Sequence, residues 1–148
     1  MRTETRDALV AELASEARRA PDASETGPVP PAAFDPVVEV GVGHRTDVAA
    51  ALADCGVDVT ATDVRDRTVP DGVTFVRDDV TDPDRSVYAD AAVVYALNFP
   101  PELHRPALAV ARAVDAAFLF TTLGGDPPAV PVDRRTLPGE TLFVAKPE

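Results

Sequence analysis

The feature that most constrains this chain is an apolar run that breaks into Gly-x-Gly, Val37-Val38-Glu39-Val40-Gly41-Val42-Gly43. A strand that turns through glycine into a helix lets backbone N–H groups approach a ligand, because no Cβ stands in the way. Twenty residues beyond Gly43, Asp63 closes the next apolar run. At that spacing a carboxylate ending a second parallel strand meets the ribose hydroxyls of a nucleoside held over the first. The expected ligand is therefore of nucleoside type, whereas no reaction is written as plainly.

The surrounding pattern supplies the sheet that such a site needs. Apolar runs at 37–41, 57–62, 73–77, 91–97, 117–122 and 141–146 read as strands, and 46–55 and 102–115 read as helices. Val48, Ala51, Leu52 and Cys55 share one face of the helix joining the first two strands, which makes a βαβ unit and hence a parallel pair. The remaining strands fit one doubly wound α/β sheet, a single three-layer Rossmann-like domain over 37–148. Between Asp63 and Val73 there is room for only a turn or a short helical segment, so one crossover is abbreviated. After the fifth strand the residues suffice for about one more.

Ahead of this unit, residues 3–20 predict a helix, with Leu9, Val10, Leu13, Ala14 and Ala17 at three- and four-residue spacing. Gly27, Pro28, Pro30 and Pro31 mark 21–36 as a linker or covering loop. Residues 1–36 thus read as a helix and Pro-rich linker packed on the core. At 148 residues one core is expected.

Charge narrows the partners. The net charge of −11 comes from 25 acidic side chains against 14 basic ones, of which Lys146 is the single lysine. Short carboxylates in place of long lysine stems resemble proteins of a salt-loving cytoplasm. No basic face is available to release counterions from a phosphate backbone, which argues against nucleic acid. No apolar run reaches the roughly 18 to 20 residues of a membrane span. A single cysteine, Cys55, excludes an internal disulfide, and a cytoplasmic setting with Cys55 as a small buried side chain fits best.

Several residues near the glycine turn carry candidate roles. Thr46 occupies the position of the last glycine in a dinucleotide Gly-x-Gly-x-x-Gly and suits the N-cap of the following helix. Glu39 has two readings: it orients a cationic amino group of the ligand, or it accepts hydrogen bonds from loop N–H groups and holds the turn. His44 lies nearer the ligand than His104 and reads as a binding or structural residue; His104, near a helix start, reads as a surface residue. Asp78, Asp79, Asp82 and Asp84 lack the glycine and terminal glutamate of a calcium loop and read as a solvated acidic turn, so no metal is expected. Gly124, Gly125 and Asp126 fall where they would complete the rim.

Glu39-Val40-Gly41-Val42-Gly43 resembles the acidic-x-Gly-x-Gly motif of class I S-adenosylmethionine-dependent methyltransferases, and the likeness extends over most of 36–123. It implies a ribose-binding role for Asp63 and an adenine-binding role for Asp79, with Asp90 as the acid opening the fourth strand. Asn98-Phe99-Pro100-Pro101 is similar to the Asn-Pro-Pro-aromatic segment of amino-group methyltransferases, but Phe99 intervenes and a strand-ending turn is the simpler reading. The third glycine of the motif is replaced by Arg45. More narrowly, the Val-Glu-Val-Gly-Val-Gly opening, the Ala-Thr-Asp strand end and the Pro-Pro-Glu-Leu segment are similar to a small uncharacterised archaeal family with a methyltransferase-like domain.

The expected cofactor site is therefore Glu39, Gly41, Gly43, His44, Asp63, Asp79 and Asn98, holding S-adenosylmethionine with an unknown methyl acceptor. An NAD-type dinucleotide module is the first alternative, with Asp63 on the ribose and Arg65 and Arg67 nearby. A non-catalytic nucleoside sensor or assembly subunit is the second, suggested by the short C-terminal half. A homodimer would supply a missing wall.

Overall fold

A computed structural model describes residues 2–18 and 34–147. Among them stand three α-helices, α1 (Thr3–Ala17), α2 (Asp47–Asp54) and α3 (His104–Ala113). Seven strands accompany them: β1 (Val37–Glu39), β2 (Val59–Asp63), β3 (Val73–Arg77), β4 (Val93–Ala96), β5 (Ala117–Phe120), β6 (Val132–Leu137) and β7 (Glu140–Ala145). They form one sheet in the order β3-β2-β1-β4-β5-β7-β6. The first five strands are parallel, and β7 runs antiparallel to both β5 and β6. This is the mostly parallel, Rossmann-like α/β sheet that the alternating pattern predicts.

Strand pleating divides the core into two layers. Val37, Val59, Val93 and Leu119 pack under α1 and α2, through Leu9, Leu13, Val48 and Leu52. Val38, Val94, Phe118 and Phe120 pack on the other side with Ala107, Leu108 and Ala111 of α3. Both faces of the central strands are covered, so β4 is buried at every residue.

Two expectations about extent need correction. The C-terminal half holds two further strands, not one: β6 reads Val-Asp-Arg-Arg-Thr-Leu, too polar to show as an apolar run, because it is the edge strand paired only with β7. What is abbreviated is the set of crossovers. No helix separates β2 from β3, and only a 3-10 turn at Arg85–Val87 precedes β4. The expected linker over 21–36 lies, up to residue 33, outside the described residues. Cys55 is exposed, not buried, because α2 ends at Asp54 and the cysteine is its C-cap.

α1 is tied to the far end of the sheet. Arg135 of β6 reaches Glu12 and Glu16, each at 2.8 Å, and the Thr5 hydroxyl donates to the Pro138 carbonyl at 2.6 Å. No helix among the described residues is long and apolar enough to cross a membrane.

Candidate nucleoside site

Because β1, β2, β3, β4 and β5 run the same way, the segments that follow them all gather at one edge of the sheet. Gly41 and Gly43 follow β1 with φ of +69° and +57°, a left-handed conformation that side-chain-bearing residues adopt at a cost. A Cβ built on either would meet nothing within 4 Å, so backbone conformation, rather than crowding, requires glycine there. The turn is held on both sides: Val40 N–H donates to the Tyr95 carbonyl at 2.8 Å and Val42 N–H to the Thr62 carbonyl at 2.9 Å.

Asp63 completes that framework. Its Oδ2 accepts the Gly43 N–H at 2.9 Å and its Oδ1 the Arg65 N–H at 3.0 Å. Arg67 adds an ion pair, Nε to Oδ2 at 3.4 Å. Burial alone would raise this carboxyl, but the Arg65 and Gly43 N–H groups and the Arg67 guanidinium outweigh it and hold it below the usual carboxylate range. Asp63 is only 8% exposed, while its neighbour Val64 is 54% exposed. An apolar platform thus stands beside an ionised carboxylate.

Arg67 also reaches His44, with Nη1 3.1 Å from Nε2. A guanidinium is only a donor, so Nε2 of His44 accepts and the ring is neutral in this contact. His44 is consequently a partner of Arg67. The importance of Arg67 went unread as a structural contact; its sole signal is a four-residue spacing from Asp63 across a turn.

Glu39 ends β1, with its side chain beneath the turn that follows. The side chain lies 1% exposed on the α2 face, and Tyr95 donates to its Oε1 at 2.6 Å. No described loop N–H donates to the carboxyl, which corrects one of the two expected roles. Desolvation, opposed by the Tyr95 hydrogen bond and reinforced by Asp47, raises the Glu39 pKa to about 8. Oδ1 of Asp47 is buried without a hydrogen-bond partner. The Thr46 side chain does not cap α2; only its carbonyl serves, accepting from Ala50 N–H at 2.9 Å.

The other expected site residues fall unevenly. Asp79 follows β3 at the same edge, exposed, with Oδ1 accepting both the N–H and hydroxyl of Thr81, which holds its carboxyl low. The anchored acid there is Asp78, which accepts the Tyr88 hydroxyl at 2.8 Å and the Asp84 N–H at 2.9 Å. Asn98 follows β4 with φ of +49°, its N–H donating to the Thr121 hydroxyl at 2.9 Å. Asp90 precedes β4 and so lies at the opposite edge, away from the glycine turn. Gly124 follows β5, beside Leu123, which is 65% exposed.

Phe99 and His104 are both core residues, so His104 is not the surface residue expected. Phe99 stacks on the His104 ring, with centroids 5.7 Å apart, and both are buried. His104 Nδ1 accepts the Ala129 N–H at 3.0 Å, which leaves Nε2–H to donate to the Phe99 carbonyl at 3.0 Å. One neutral imidazole therefore joins the loop after β4 to the loop after β5. Among the described residues no three His, Cys, Asp or Glu side chains group closely enough to hold a metal ion.

Comparison with known proteins agrees with this architecture. Residues 30–148 match the model of the uncharacterised protein family UPF0146, and the chain belongs to that family. A UPF0146 protein of Halobacterium salinarum is 60% identical over 116 residues, covering 78% of this chain and 90% of that protein. One from Archaeoglobus fulgidus is 47% identical over 90 residues, covering 61% of this chain and 69% of that protein. Among solved structures, an RNA methyltransferase from Salinibacter ruber, in complex with S-adenosyl-L-homocysteine, superposes with a TM-score of 0.60 at 16% identity, over 98% of this chain and 91% of that one. The glycopeptide N-methyltransferase MtfA, complexed with S-adenosyl-L-methionine, gives 0.51 at 18% identity, over 97% and 67%. These likenesses establish a methyltransferase-like fold.

Proposed function

We propose that this UPF0146 protein binds S-adenosylmethionine or its demethylated product over the glycine turn, with residues 37–148 as the nucleoside-binding unit. The observation that carries the reading is the pairing of Asp63 with the Gly43 N–H at the joint edge of β1 and β2. A carboxylate offers about four acceptor positions, and the two loop N–H groups and the long Arg67 contact occupy three of them. A ribose diol would take the remaining position and that of Arg67. Val64 supplies an apolar face for the base, and Asp79 an acceptor for an exocyclic amine. The cationic amino group of the methionine portion would approach the Glu39 side of the turn, near Asn98.

The cofactors named for the superposed methyltransferases support this choice over a dinucleotide. Thr46 in place of the last glycine weighs the same way. The lysine-poor, acidic composition supports a cytoplasmic role in a salt-rich cell.

If the protein is an enzyme, its residues would act by positioning and by excluding water, aligning an acceptor in line with the donor methyl group. Both of its histidines are engaged, His44 with Arg67 and His104 with the backbone. An acceptor would therefore need to be nucleophilic without a histidine base. The same observation favours a second reading, a nucleoside-binding subunit without transfer chemistry.

Calorimetric titration with S-adenosylhomocysteine in high salt tests the proposal. Saturable binding to the wild type, lost in a folded Asp63→Ala variant, is expected. No binding, or unchanged affinity in that variant, overturns the site.

A further inference from the structure

Arg67 lends its charge to Asp63 without forming a hydrogen bond to it. Its Nε lies 3.4 Å from Asp63 Oδ2, yet that Nε is buried and has no hydrogen-bond partner among the described residues. The oxygen it approaches is the one that accepts the Gly43 N–H at 2.9 Å, whereas the other oxygen is taken by the Arg65 N–H at 3.0 Å. A guanidinium therefore stands at the edge of the carboxylate tied to the glycine turn, where a sugar hydroxyl would have to reach.

We infer that Arg67 is a displaceable plug: it occupies the position on Asp63 that a ribose diol takes, and His44 holds it there. Nucleoside affinity is then set by competition between a guanidinium and a hydroxyl pair. The role rests on the nucleoside reading of the site, and adds to it a residue that works against binding.

The two partners hold Arg67 unequally. Its Nη1 donates to His44 Nε2 at 3.1 Å, a formed hydrogen bond, while toward Asp63 it supplies Coulombic attraction alone. A ribose hydroxyl donating to the same carboxylate makes a charge-assisted hydrogen bond, the stronger kind, and one that salt screens less than an ion pair. Displacement also returns the unpaired Nε–H to water, where its donor is satisfied. The way out is open: the Arg67 side chain is 19% exposed, and residues 64–66 and His44 beside it are exposed.

Adenosine is the probe, because it is uncharged and its own binding has no ion pair for salt to screen. The full chain, wild type and Arg67→Met, is titrated at about 0.1 M and about 1 M potassium chloride, where the screening length is about 10 Å and about 3 Å. Binding is followed by NMR, which reads weak affinities and reports the fold in the same spectra. Wild-type affinity is expected to rise about threefold to fivefold from low to high salt, the scale of one ion pair. Arg67→Met, which keeps an apolar stem without the charge, is expected to bind about threefold to fivefold tighter at low salt and to respond less to salt. His44→Leu should move affinity the same way by freeing Nη1, and His44→Gln, which keeps an acceptor, should restore it. A gain in affinity cannot be imitated by misfolding. Affinity that stays level or falls in Arg67→Met overturns the plug, and a fall makes Arg67 a ligand contact instead. Failure of the nucleoside reading looks different: adenosine binds neither form at either salt, or binds a folded Asp63→Ala variant as well as the wild type.

Discussion

Glu39 and Tyr95 are register partners on β1 and β4, and the Tyr95 hydroxyl donates to the Glu39 carboxyl at 2.6 Å in a dry layer beneath the glycine turn. Burial pushes the Glu39 pKa up to about 8 from an ordinary 4.5, so the folded protein keeps a proton there that the unfolded chain releases. Below the unfolded value both states are protonated and the fold has its full stability. Between about pH 5 and 8 the unfolded chain ionises first and stability falls. Glu39→Gln retains the acceptor for Tyr95 without an ionisable group, and should flatten this slope. Urea denaturation is expected to show a gain on the order of a few kcal/mol at pH 8 and little at pH 4.5.

Asp63 behaves in the opposite sense. Its carboxyl is held low by loop N–H groups and Arg67, so it stabilises the fold above the ordinary carboxylate range, and that contribution fades as acid protonates it. Asp63→Asn keeps the side-chain shape but offers a single acceptor oxygen to the Gly43 and Arg65 amides. A loss of roughly 1–3 kcal/mol is expected in denaturant titrations at neutral pH, narrowing at the acid end.

His104 predicts a loop phenotype. His104→Phe leaves the Ala129 N–H and the Phe99 carbonyl without their partner in a buried place, at a cost of roughly 1–3 kcal/mol for each group left unsatisfied. His104→Gln offers one acceptor and one donor and should recover part of it. Hydrogen exchange at the Ala129 amide is the direct readout, with faster exchange expected in His104→Phe and intermediate exchange in His104→Gln.

Arg135 joins α1 to β6 through two carboxylates that are themselves about a third exposed. Exposed pairs contribute about 0–1 kcal/mol each, and molar salt shortens the screening length to about 3 Å. Arg135→Met is therefore expected to lower the thermal midpoint in dilute buffer by a few degrees, and by less in molar potassium chloride. A deficit that does not shrink with salt would assign the loss to the packing of the arginine stem.

The Gly-x-Gly turn, Asp63 and the parallel order of the early strands were legible because each is local: an apolar run, a breaker and a spacing. The boundaries of β3 agree residue for residue with the reading, and β1 is shorter because the turn begins at Val40. β6 was illegible for a physical reason. An edge strand with Asp133, Arg134 and Arg135 carries no apolar periodicity, and only its pairing with β7 makes it a strand. His104 was misread in a related way. Nothing local tells that an imidazole near a helix start will be enclosed by Phe99 and Phe120 and answered by an amide twenty-five residues away. The meeting of Thr5 with Pro138 escaped notice because it exists only in the completed fold.

That meeting has a bearing on how the protein is made. The Thr5 hydroxyl and the Pro138 carbonyl are separated by 133 residues. The β2 side of the glycine turn can close as soon as β1, α2 and β2 exist, whereas its tie to Tyr95 waits for β4. The tie between α1 and the β6–β7 hairpin must wait until that hairpin has formed and docked. On a ribosome, the β1–α2–β2 unit would thus form well before α1 is fixed to the far end of the sheet. Long-range closure of this kind is a slow step in folding.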